Sequence, residues 1–169
     1  EKAILARLKA YADEDLPHIK TVEKEFIKFL HEMGRVAKVE ELAMKIERDA
    51  DDRLQAHVTF LSTLAPGIAV VDENDTYHHA VGIFEHHDED KIKSHVDSIV
   101  ETIKKHGKPI SIDKLHEKTN HEHPDHVRAM ASVSKNLTSL KGRWGLLKWP
   151  TVNPKNIRDK IYVILKDND

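Results

Sequence analysis

Residues 107–150 read GKPISIDKLHEKTNHEHPDHVRAMASVSKNLTSLKGRWGLLKWP, and the fold turns on them. Gly107 has the form of a left-handed residue closing the helix before it. Lys108-Pro109-Ile110 is short enough for an edge strand, and Ser111 or Asp113 can cap a helix containing Leu115. Pro124 sits where a first helical turn tolerates proline, so Pro124 to Leu137 reads as a further helix. Thr138 to Leu140, a Lys141-Gly142 turn and Trp144 to Trp149 then read as a hairpin. Upstream, Ile92, Val96, Ile99, Val100 and Ile103 form an apolar stripe at helical spacing. Helix, short strand, helix, helix, hairpin is the order of a winged helix, in which the hairpin covers the open side of a three-helix core.

The same order runs through the preceding residues. Val22, Phe26, Phe29, Leu30 and Met33 mark one helical face, and Gly34 stands where Gly107 stands later. Val36-Ala37 follows as a short strand. Val39 to Ile46 and Leu54 to Leu64 are short helices, the second stopped by Pro66-Gly67. Ile68 to Val71, the turn residues Asp72 to Asp75, and Tyr77 to Ile83 form a second hairpin. Aligning Gly34 with Gly107 gives an offset of 73 residues that pairs Phe26 with Ile99, Leu30 with Ile103, Val39 with Ile112 and Leu42 with Leu115. The expected class is mostly α with small antiparallel wings, as tandem winged-helix modules. The expected division is a leading helix over 1–17, ended by Pro17, an acidic module one over 18–87, a basic module two over 88–150, and a linker and helix over 151–169. In that last segment Ile157, Ile161, Ile164 and Leu165 repeat the spacing of Ile92, Val96, Ile99 and Val100. The segment either packs back on module two or opens a further module. With Glu1 rather than Met at the start, the chain reads as a piece of a longer protein.

Composition narrows the function. The chain has 169 residues, 33% of them charged and none of them cysteine, which excludes disulfides, thiolate metal sites and cysteine nucleophiles. No apolar run approaches the roughly 20 residues that span a bilayer, and no signal peptide is visible; the expected location is the cytoplasm, in association with the nucleoid. The net charge of −2 hides a split. Residues 1–103 hold 13 Lys and Arg against 22 Asp and Glu, whereas residues 104–160 hold 13 against 5. A cationic half neutralises phosphates and an acidic half repels them.

The cations of module two fall on the elements that a winged helix sets against duplex DNA. Arg128, Ser132, Lys135 and Asn136 lie off the apolar face of the Pro124–Leu137 helix, and Lys141 and Arg143 sit at the hairpin turn. These six are the candidate DNA-binding residues, suited to phosphates and base edges. In module one the equivalent helix follows Glu47, Asp49, Asp51 and Asp52, which suits docking or spacing better than DNA contact. The 13 histidines, densest from His121 to His126, offer imidazole and carboxylate ligands. They lack a second ligand cluster at defined spacing, so no metal and no cofactor is assigned. Catalytic motifs each fail at a required residue: His31-Glu32 has Arg35 and His116-Glu117 has Asn120 where a zinc protease needs histidine, and no phosphate-binding glycine loop appears. The chain is therefore expected not to be an enzyme. Trp144 and Trp149 are expected to pack against the module core rather than to stack on bases.

Gly107-Lys108-Pro109-Ile110-Ser111, then Gly142-Arg143-Trp144-Gly145-Leu146 and Trp149-Pro150, resembles the HARE-type helix-turn-helix domain. That winged helix occurs in the delta subunit of bacterial RNA polymerase, in restriction enzymes and in chromatin regulators. The stretch from Asn153 to Ile161 is similar to the linker and first helix before another such domain, an arrangement found in bacterial sigma-factor-like proteins. The resemblance covers roughly residues 88–169 and implies DNA binding or RNA polymerase association in transcription. Two functions follow as expectations: a DNA-binding, transcription-related module acting through module two, or, as the alternative, a module that docks on RNA polymerase without touching DNA. A structural spacer is the third class.

Overall fold

Pro17 opens a helix rather than closing one. In the computed structural model, which describes residues 16–167 apart from 156, α1 runs Leu16–Met33. A proline is tolerated in a first turn because the amide it lacks has no intrahelical partner there. The helix expected over residues 1–16 lies outside the described residues, except for its last one, Leu16, which begins α1 instead.

After α1 come β1 (Val36–Lys38), α2 (Val39–Ile46), α3 (Asp52–Leu64), β2 (Ile68–Val71) and β3 (Ala80–Ile83). Asp51 caps α3 by accepting a hydrogen bond from the Leu54 amide. The three strands form an antiparallel sheet in the order β1-β3-β2, with Val36 opposite Gly82 and Val71 opposite Ala80. The second half runs α4 (Glu89–His106), β4 (Ile110–Ser111), α5 (Ile112–Thr119), α6 (Pro124–Val133), β5 (Leu137–Leu140) and β6 (Arg143–Leu146). Its sheet has the matching order β4-β6-β5. Over the described residues the molecule is thus mostly helical with two small antiparallel sheets. All four residue pairs related by the 73-residue offset are buried. Lys141 and Gly142 both have positive φ, 51° and 74°, the requirement of the tight hairpin turn whose twist matches its strands.

Several boundaries differ from the sequence reading, and the strand expected over Lys108-Pro109-Ile110 covers Ile110–Ser111 instead. The helix expected to reach Leu137 stops at Val133, because Ser134 turns to extended backbone and pairs with Tyr77. The strand expected from Tyr77 begins only at Ala80, since residues 77–79 are drawn away by that pairing. The last strand ends at Leu146, and Trp149 lies in the turn beyond it. Trp144 and Trp149 both pack, half-buried, against a core that includes residues of both halves.

The two halves share apolar contacts. One core joins Ile92, Val96, Ile99, Leu115, Val127 and Met130 to Val36, Val71, Tyr77 and Ala80 of the first half. A second core, around Phe26, Leu30, Leu42, Val58 and Val81, belongs to the first half alone. Helix α7 (Ile157–Asp167) follows a turn; Val163 is buried, while Ile157, Ile161, Ile164 and Leu165 are more than half exposed.

Candidate nucleic-acid interface

Helix α6 is buried on two sides. Val127, Met130 and Val133 face the core that the two halves share. Across the helix, Asp125 and Ala129 meet the end of α1: a methyl group placed on Gly34 would lie 2.6 Å from the Asp125 carbonyl oxygen and 3.1 Å from the Ala129 Cβ. Backbone hydrogen bonds extend the junction. The His78 amide donates to the Val133 carbonyl at 2.8 Å and the Lys135 amide to the Thr76 carbonyl at 2.9 Å. The Asn74 side chain accepts from the Thr76 and Tyr77 amides and so holds that loop in shape. The Tyr77 hydroxyl donates to Asp97 at 2.7 Å. Burial, with the carboxylate beside it, pushes the Tyr77 phenol up to about 12.

The six candidate residues divide among four places. Arg128 and Ser132 open on a cleft of about 790 Å³ between the halves, whose other lining includes Glu32, Glu41, Asp125 and the hairpin residues Ser139 and Trp144. Charges in and around this cleft are already matched: Arg128 with Asp125 at 3.3 Å, Lys38 with Glu41 at 3.3 Å, and Lys45 with Glu32 at 3.0 Å. Ser132 donates to the Ala129 carbonyl of its own helix. Lys135 is spent on the junction, 2.8 Å from Glu73; its ammonium holds the Glu73 carboxyl below the usual range. Asn136 is exposed on a different face, beside Lys104, Lys148 and Lys155. Lys141 and Arg143 stand exposed at the hairpin tip, and Arg143 makes no ion pair among the described residues.

Histidines line another flank of the junction. Ring centroids of His31 and His86 lie 5.8 Å apart, His86 and His87 6.4 Å, His87 and His95 5.1 Å, and His95 and His121 4.7 Å. Burial, then the neighbouring His95, His86, Arg35 and His126, brings His87 down to about 4. Burial, then His95, His126 and His116, brings His121 to about 4 as well. His95 is lowered by burial and by Lys91, and the buried Nδ1 atoms of His87 and His95 have no hydrogen-bond partner. At neutral pH His87 and His121 are uncharged packing and add nothing to a phosphate-binding surface. No group of three metal-ligating side chains converges among the described residues. The row ends next to Arg35, which joins α1 to the α5–α6 loop through Glu122 at 2.8 Å.

The sequence reading missed this junction. Its one local trace is Gly34, where both the backbone angle (φ 98°) and the space exclude a side chain. No family model, no curated protein and no solved structure matches the chain.

Proposed function

We propose that the chain is a transcription-related DNA-binding unit of two winged-helix modules without chemistry of its own. It touches the duplex backbone through the β5–β6 hairpin and the Arg128 edge of α6. The reading of both halves as winged helices is supported by their common element order and matching sheet order. The observation that carries the functional reading is the exposed Lys141–Arg143 tip on a half of the chain with a large cationic excess.

The geometry favours backbone contact over base readout. A phosphate at the tip meets an unpaired guanidinium, whereas one in the cleft would displace carboxylates already matched to cations. Full insertion of α6 into a major groove would also require module one to leave its Ala129 side. That covered face supports the second reading, docking on RNA polymerase, in which α6 serves as an internal joint. The test is titration of a labelled 20-base-pair duplex at low salt. Arg143→Glu with Lys141→Glu is expected to weaken binding at least tenfold, and Arg128→Glu by less. Unchanged affinity in the double variant, or no binding by the native chain, overturns the DNA reading; capture of RNA polymerase core after nuclease treatment would then favour docking.

A further inference from the structure

The base of the second hairpin carries a groove that the DNA reading does not use. Leu147 forms its floor, 44% exposed, beside Val100. Lys104, Lys148, Lys155 and Asn136 frame a volume of about 400 Å³. The floor is held rigidly: the Leu147 amide donates to the Asn136 carbonyl at 2.8 Å, and the Asn153 side-chain amide donates to the Leu147 carbonyl at 2.8 Å. Lys104 is partly engaged by Glu101 at 2.7 Å, while the Lys148 and Lys155 ammonium groups make no ion pair among the described residues. Leu146 at the groove lies three residues along β6 from Arg143, about 10 Å at the usual strand rise, so tip and groove are separate sites.

We propose that this groove docks an acidic peptide segment of a partner protein, with one apolar side chain seated on Leu147 and flanking carboxylates reaching the three lysines. The charge of the rim calls for an anion. The apolar floor selects a peptide over a nucleic-acid backbone, because a phosphate set against Leu147 gives up hydration without gaining a hydrogen bond there, whereas an apolar side chain is favourably buried on it. A groove only three lysines wide suits a short extended segment whose affinity comes from one anchor and a few charge-assisted contacts.

The experiment is fluorescence anisotropy with a labelled ten-residue peptide, Asp-Glu-Asp-Glu-Leu-Asp-Glu-Asp-Glu-Asp, and with the same peptide carrying Ser in place of Leu. The full chain is expected to bind the leucine peptide at least tenfold more tightly than the serine peptide. Lys148→Glu with Lys155→Glu, and separately Leu147→Ser, should each cost tenfold or more. Lys20→Glu, a charge reversal on the surface of α1, should leave affinity unchanged, and thermal melts confirm that each variant is folded. Three results overturn the proposal: no binding, equal binding of both peptides, or displacement of the leucine peptide by duplex DNA with loss of DNA binding in the Lys148/Lys155 variant, which would make the groove a nucleic-acid surface.

Discussion

Gly34 shows how much one missing side chain decides. Its φ of 98° places it in the left-handed region, and its hydrogens face the Asp125 carbonyl across the junction. Gly107 shares the first property, with φ 74°, but nothing lies within 4 Å of where its Cβ would be. The two positions therefore separate backbone strain from steric exclusion. Gly107→Ala should cost about 1–2 kcal/mol, the usual penalty of a left-handed L-residue. Gly34→Ala should cost clearly more and also open the junction, because a methyl group 2.6 Å from a backbone oxygen forces α1 and α6 apart. Urea unfolding measures the first effect. Amide exchange at His78 and Lys135, whose amides bridge the halves, measures the second. Equal costs for the two substitutions would mean that the close approach has no energetic weight.

The single elements were largely readable from residue spacing; their limits were not where partners from the other half intervene. An apolar stripe is a local property: Ile92, Val96, Ile99 and Ile103 recur at helical steps and all are buried. Ser134, by contrast, leaves α6 because Tyr77, 57 positions earlier, pairs with it, and no local pattern announces a contact of that range. The candidate site followed the same rule. Charge excess and the Lys141-Gly142 turn were legible, but the diversion of Lys135 to Glu73 and the separation of Asn136 from Arg128 depend on how α6 sits between the halves.

The histidine row is the element-scale property most open to measurement. In the closed junction His87 and His121 titrate near 4, whereas an exposed histidine titrates near 6.5. The open chain therefore takes up protons that the closed one excludes. Stability from this source is fully present above pH 6.5 and is lost as pH falls toward 4. Thermal melts between those limits should show a falling midpoint, with exchange at the His78 and Lys135 amides accelerating first. His87→Phe keeps a ring but has no site for a proton, so it should flatten the decline. A midpoint as pH-dependent as that of the native chain would remove His87 from the account.

At the scale of the whole molecule, the acidic and cationic halves meet across shared apolar contacts, and exposed cations outside the junction include those at the hairpin tip, at the hairpin base and along α7. The tip and the Arg128 edge of α6 are assigned to the duplex, which fixes how strongly ions should compete. Each phosphate neutralised on B-form DNA contributes about 0.9 to the slope of log affinity against log salt. The most direct test is that slope for the full chain on a duplex, measured from low to physiological salt. A slope of about 2–3 is predicted from Arg128, Lys141 and Arg143, falling by about 1 in Arg143→Glu. A slope indistinguishable from zero, or one that Arg143→Glu leaves unchanged, would contradict the claim that the hairpin tip holds the DNA backbone.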